Sequence, residues 1–424
     1  MPEGATVDVA VAGGGIVGLS VAWAARRRGL SVAVLERDRV GAGASHVAAG
    51  MLAPVSEAEY GDAARELLQL GLRSAAMWPT FAQQLQEASG IDPGLRRTGT
   101  LIAARDADEA RELERQLELR RALGLPVLRL RGSEAREREP GLAPTVRLAL
   151  EAPDDHAVDP RAAVAALRRA CEGAGVGLRE HAAVAEVALD ERERRVRGLV
   201  LASGEHIDAR RVVIAAGAWS AGIGGHDDRA IVPVRPVKGQ TVRLRDPAGP
   251  GLLGRVLRFQ GGYLVPRGDG RYVLGATVEE RGFDTTATAG GVYELLRDAQ
   301  QLLPGVSELQ IEELSVGLRP GTPDNAPVIG EGDVSGLIWA CGHHRNGVLL
   351  APLTGQLVAA LLAGTEDGGA GAGANARIGA AHAALLRACS PRRFAARRDL
   401  SDRDEPGEPG DRGVSPRTAA EARA

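Results

Sequence analysis

The sequence predicts an α/β fold, α+β overall, on three observations. Val7-Asp8-Val9-Ala10-Val11-Ala12 reads as a short, mostly apolar strand, and residues 19–28 read as a helix closed by Gly29. Between them stands Gly13-Gly14-Gly15-Ile16-Val17-Gly18, and a second strand over residues 31–35 ends on Glu36. Further on, residues 255–277 hold several short strands bounded by glycine pairs, which suits an antiparallel sheet. The first two observations predict a Rossmann-like nucleotide-binding domain, and the third a separate mixed or antiparallel sheet.

Each part of the opening unit has a physical reason. Gly13 permits the tight turn, Gly15 lets backbone N–H groups approach a pyrophosphate, and Gly18 allows close packing of helix on strand. The helix N-terminus faces the phosphates, and Glu36, eighteen residues after Gly18, is placed to accept hydrogen bonds from a ribose. A glycine triplet alone is weak evidence in a chain with 56 glycines. Strand, turn, helix and acid in register make a dinucleotide site. The unit does not separate FAD from NAD. Residues 40–54 do: this run of small side chains, without Pro, Asp or Asn until Pro54, suits backbone lying close against a flat ring system.

Other segments follow the same logic. Residues 109–124 read as a surface helix, and Asp159-Pro160-Arg161 opens another running to about Gly173. Residues 212–220 read as a buried strand passing into small residues. At 424 residues with 44% apolar and 25% charged side chains the chain supports a sizeable core. Basic and acidic residues nearly cancel (52 against 55), so nothing points to nucleic acid or an acidic membrane. No run approaches 18 apolar residues and no leader pattern opens the chain, so the expectation is a cytoplasmic protein without a membrane partner. Cys171, Cys341 and Cys389 fit neither a disulfide framework nor a metal site, so no metal is expected.

Seven pieces, in order across residues 5–363, resemble the D-amino-acid oxidase superfamily, and within it the glycine oxidases of thiamine biosynthesis. They are the Gly13–Gly18 fingerprint with Glu36, Ala49-Gly50-Met51-Leu52, Val234-Arg235-Pro236-Val237-Lys238-Gly239-Gln240, Gly262-Tyr263-Leu264-Val265-Pro266-Arg267, Leu274-Gly275-Ala276-Thr277, Gly317-Leu318-Arg319-Pro320-Gly321-Thr322-Pro323-Asp324, and Gly342-His343-His344-Arg345-Asn346-Gly347. The resemblance implies a discontinuous FAD domain over residues 5–90, 150–225 and 315–363, with a substrate domain over 91–149 and 226–314. It implies noncovalent FAD, since no cysteine stands where sarcosine-oxidising relatives attach the flavin. Cofactor contact is expected at Gly13, Gly15, Ile16, Val17, Gly18, Glu36, Arg37, Ala44, Ser45, Ala48, Ala49, Gly50, Met51, Val184, Ala216, Gly217, Trp219, His344, Arg345, Asn346, Gly347 and Val348.

The implied reaction is oxidative deamination of glycine, with sarcosine and small D-amino acids as further substrates. Hydride passes to the flavin, O2 reoxidises it to give H2O2, and the imine hydrolyses to glyoxylate and ammonia. Capturing a small zwitterion's carboxylate calls for a planar cation with a bidentate fork. Among 51 arginines, Arg319 is singled out by its motif as that residue, with the hydroxyl of Tyr263 beside it. Met51 and Val278 are expected to line the substrate pocket and limit its size, and Arg345 to reach the same neighbourhood or form a structural ion pair. Lys238 is the one lysine; a compact ammonium there suits oxygen reduction or a flavin phosphate, or is compositional chance. His343 and His344 are given no catalytic role. Alternatives are a D-amino-acid dehydrogenase, a sarcosine oxidase-like enzyme, and a non-catalytic flavoprotein subunit. The relatives form homotetramers, which implies a homo-oligomer here. Residues 364–424 read as a Gly/Ala-rich linker, a short helix over 378–388 and a charged tail expected to be disordered from Ser401 onward.

Overall fold

The computed structural model describes residues 6–190, 192–226, 232–363 and 380–394. Strand Val7–Ala12 sits inside an eight-stranded sheet. It pairs in parallel with Val32–Leu35 and with His206–Ile214. Gly177–Arg179 extends one flank and Leu337–Cys341 the other, both in parallel. Val328–Glu331 closes the edge in antiparallel register, and the hairpin Val184–Asp190 with Arg195–Leu201 runs off His206–Ile214. The central strands are apolar on both sides because both faces of the sheet are covered.

Four helices, Ile16–Arg26, Asp62–Ser89, Pro160–Gly173 and Gly347–Ala363, pack into a single core on one face of this sheet. The last is hydrophobic all round because neighbours enclose it. Residues His344–Ala363 are long and apolar enough to cross a membrane by length and composition, but most of that stretch is buried inside the protein. Pro160–Gly173 starts as its sequence predicts: Asp159 accepts hydrogen bonds from the Arg161 and Ala162 N–H groups, with Pro160 in the first turn.

The second sheet also has eight strands. Their order is Gln310–Gly321, Arg235–Arg245, Arg271–Gly275, Gly262–Pro266, Val256–Phe259, Thr100–Ala104, Leu148–Ala152 and Leu128–Arg131. All neighbours are antiparallel except Val256–Phe259 with Thr100–Ala104, so the sheet is mixed. Helix Ala289–Leu302 covers one face through Leu295, Ala299 and Leu302.

Several boundaries move from their sequence-based positions. The first helix begins at Ile16, straight off Gly15, and ends at Arg26. The expected 109–124 helix forms at Ala107–Ala122, two residues earlier, because Asp106 caps it by accepting from the Asp108 and Glu109 N–H groups. Extended structure expected over 212–220 stops at Ile214 and passes into a 3-10 turn, Gly217–Gly222. Residues 315–321 ladder with Arg235–Arg245, and 150–152 lie in Leu148–Ala152, so both belong to the second sheet rather than the cofactor domain. Residues 315–321 find their partners more than seventy residues away and 150–152 find theirs in Thr100–Ala104 about fifty away, which local pattern does not carry. Helix Ala380–Ala388 is present, while the linker over 368–374 and the tail from Ser401 lie outside the described residues.

Candidate cofactor and substrate site

A cavity of about 890 Å³ lies between the two sheets. Every site residue expected from sequence lines it except Gly18, whose part is played behind the wall. Gly13 adopts φ of 112°, and a Cβ there would lie 2.4 Å from the Ala215 carbonyl oxygen. A Cβ on Gly18 would lie 2.0 Å from the Gly13 oxygen, so helix and turn are in direct backbone contact. The Glu36 carboxylate accepts from the Gly14 N–H at 2.7 Å and the Asp38 N–H at 3.0 Å, which fixes it at the end of its strand. Ser45 Oγ accepts from the Ile16 N–H at 3.0 Å, tying the small-residue segment to the helix start. Gly15 caps this helix without a side chain, and no acid stands in its first turn. The helix's positive end therefore stays available to an anion, as a pyrophosphate requires.

The second sheet supplies the opposite wall. Arg319 pairs across the ladder with Val237, and its guanidinium lies over Gly239, where a Cβ would approach Nη1 to 2.3 Å. Nη1 donates to the Thr277 oxygen at 3.0 Å and the Lys238 oxygen at 3.3 Å, which orients the fork along the wall. Tyr263 faces the same side, opposite Gly275, with its hydroxyl beside Arg319. Burial raises the phenol's pKa and the Arg319 charge opposes that shift, so Tyr263 stays a neutral hydrogen-bonding group. Glycines at 239 and 275 keep the wall free of bulk where these two polar groups meet the cavity.

The structure places three further candidates more closely. Val278 lies on the cavity wall, and at 72% exposed it stands at the rim. Arg345 does both things considered for it: it lines the cavity, and it is ion-paired to Glu57 at 3.1 Å and to Glu59, whose carboxylates hold its charge. Lys238 is buried, but its ammonium bonds Asp284 at 2.8 Å and Glu279 at 3.5 Å. Neighbours along a strand point to opposite faces, so Lys238 lies on the far side from the face that Gly239 shares with Arg319. It does not line the cavity, and neither role considered for its ammonium fits that position.

Sequence reasoning missed the brace under this wall. Asp155 is fully buried and accepts from the Val55 and Ser56 N–H groups at 3.0 and 2.5 Å. Arg120, equally buried, donates to the carbonyls of the same two residues at 2.9 and 2.7 Å. Together they hold Glu57 at the cavity, where it meets Arg345. Burial pushes Asp155 up to about 6 and Arg120 down to about 10. No local signal marks either residue, because their partners are separated from them by 64 to 100 residues.

His343 is buried with Nε2 3.0 Å from Thr354 Oγ1, and burial pushes its imidazole down to about 4. His344 on the cavity wall is also held at about 4, by burial and then by Arg345. Both are neutral near pH 7. An unfolded histidine takes its proton near pH 6.5, whereas these stay neutral in the fold until about pH 4. Their contribution to stability is thus complete above pH 6.5 and is lost as pH falls toward 4, at up to about 1.4 kcal/mol per pH unit for each. In urea unfolding between pH 7 and 5, His343→Gln is expected to show a flatter pH dependence than the parent. Equal slopes would contradict the depressed His343.

The DAO family of FAD-dependent oxidoreductases matches residues 8–361. The chain belongs to this family. Among curated relatives of this DAO-family chain, the glycine oxidase of Geobacillus kaustophilus is 38% identical over 358 residues, covering 84% of this chain and 92% of the relative. A bifunctional ThiO/ThiG protein of Synechocystis is 36% identical over 362 residues, and the match spans about half (52%) of that longer protein. The crystal structure of the Geobacillus kaustophilus glycine oxidase superposes with a TM-score of 0.78 at 37% identity, covering 86% of this chain and 96% of that one. That of glycine oxidase from Bacillus cereus gives 0.77 at 30% identity, covering 85% and 96%.

FAD is the cofactor of the DAO family, and the wall fits it. The Gly13–Gly15 turn and bare helix end would take the pyrophosphate, Glu36 a ribose, and the small-residue segment Ala44 to Met51 the flat ring. When bound, the flavin supplies a two-electron acceptor that no side chain offers. Cys341 also lines the cavity, and burial pushes its thiol up to about 12, so it stays protonated and is a poor nucleophile toward a bound ring.

Proposed function

We propose that this chain oxidises glycine, and with it sarcosine and small D-amino acids, using O2 as acceptor and releasing hydrogen peroxide. One observation carries the reading: a guanidinium fork, held by two backbone carbonyls and flanked by a tyrosine hydroxyl, shares its cavity with the dinucleotide cradle. Arg319 binds the substrate carboxylate and Tyr263 adds a hydrogen bond to it. With the carboxylate fixed, the α-carbon hydrogen is held toward the cofactor side of the cavity, which is positioning rather than acid–base chemistry. Met51 also lines the cavity and, in this reading, limits the side chain that fits.

Neutral His343 and His344 leave the amine to lose its proton to water before reaction. The imine product hydrolyses to glyoxylate and ammonia, or feeds thiamine thiazole formation, a role supported by the likeness to ThiO/ThiG proteins. A cytoplasmic location and a homo-oligomeric state belong to the same reading. The test is a peroxide assay on purified yellow protein with glycine, sarcosine and D-alanine in parallel. Turnover of glycine is expected; yellow protein that releases no peroxide with any of the three overturns the assignment.

A further inference from the structure

Residues 276–288 run along the cavity rim almost without regular structure, and 280–290 are all exposed. Val278 and Thr285 in this stretch line the cavity. The segment is nevertheless anchored at both ends. Near its start the Glu279 backbone pairs with that of Lys238 at 2.9 and 3.0 Å, and the Thr277 oxygen accepts from Arg319. Behind the sheet, Lys238 bonds Asp284, while Gln240 bonds Glu279 and Thr288 at 2.7 and 2.9 Å and accepts from the Thr288 N–H. On the other side of the rim, the Phe283 ring meets the Trp219 ring at 5.6 Å, and the Arg37 guanidinium lies 3.7 Å from the same Trp219 ring. Trp219 and Arg37 both line the cavity, and Arg37 directly follows Glu36, the ribose acid. The segment thus reaches from the carboxylate-binding wall to the nucleotide end.

We propose that Phe283 is a positioning residue for the cofactor: residues 276–288 form a strap whose Phe283–Trp219–Arg37 stack keeps bound FAD in the cavity. None of the motifs that mark the family in this sequence contains Phe283. Phe283 is 54% exposed, which a residue kept for core packing would not be. Holding Trp219 and Arg37 in place closes the nucleotide end of the cavity while leaving the carboxylate wall unchanged. The inference rests on FAD as cofactor and is independent of which amino acid is oxidised.

The experiment uses the holoenzyme. Release of FAD after dilution is followed by the rise of free flavin fluorescence in the parent, Phe283→Ala and Phe283→Tyr. Loss of the ring is expected to speed release about 3- to 10-fold, the scale of one aromatic contact, and tyrosine is expected to restore the parental rate. Unchanged release in Phe283→Ala overturns the proposal. So does release from Phe283→Tyr as fast as from Phe283→Ala, which would deny the stack. A raised KM with parental FAD release would make the strap a substrate gate, and the proposal would fall. Inactivity toward glycine with FAD release altered as expected would sink the proposed substrate and leave the strap standing.

Discussion

Arg319→Leu is expected to lower kcat/KM for the amino acid by about 10²- to 10⁴-fold while the protein still binds FAD. The magnitude follows from removing one partner of a desolvated charge pair, about 3–5 kcal/mol. On the proposed reading, a leucine removes the bidentate fork and leaves the substrate carboxylate without its paired charge. Arg319→Lys is expected to recover a small part, because a point charge replaces a planar fork. Its backbone anchors also make the arginine sensitive to its floor. In Gly239→Ala the new methyl would sit 2.3 Å from Nη1, so the guanidinium must shift, and KM is expected to rise more than kcat falls. Steady-state kinetics on variants matched for flavin absorbance checks all three. Parental kcat/KM in Arg319→Leu would remove the residue from the site.

The second large effect belongs to Gly13→Ala. Here the backbone conformation, φ 112°, lies where L side chains rarely go, and the added carbon would meet the Ala215 carbonyl at 2.4 Å. Backbone rather than a flexible side chain stands in the way, so relief requires moving the turn itself. FAD affinity is expected to weaken by about 10²-fold or more, from conformational strain of 1–3 kcal/mol plus the displaced turn. The purified variant should be colourless with native-like far-UV circular dichroism, and titration with FAD should show the lost affinity. Full flavin occupancy would mean that the turn tolerates the methyl and that its glycine is not required.

How much of this was readable from the residues alone depended on the range of the interaction. The turn at 13–18 was legible because steric demands there act within a few residues and glycine is the direct answer to them. Arg319 and Tyr263 were legible through motif, and the structure sets them on one wall of the cavity. Lys238 was conspicuous for the wrong reason: its rarity suggested chemistry, whereas strand alternation turns it away from the cavity to bond Asp284. Val278 looked like a pocket wall, yet whether a side chain stands inside or at a rim depends on the path of the loop that carries it. Asp155 and Arg120 gave no sign at all. A buried acid holding two backbone N–H groups a hundred residues away exists only once those distant segments have come together.

The order in which the chain visits its two sheets has a practical consequence. It passes from one to the other four times, near residues 52–100, 152–177, 214–235 and 321–328. Neither of these sheets comes from one continuous stretch: any single cut between residues 12 and 337 divides at least one of them between fragments, and a fragment with both Gly13 and Arg319 must hold all of residues 13–319.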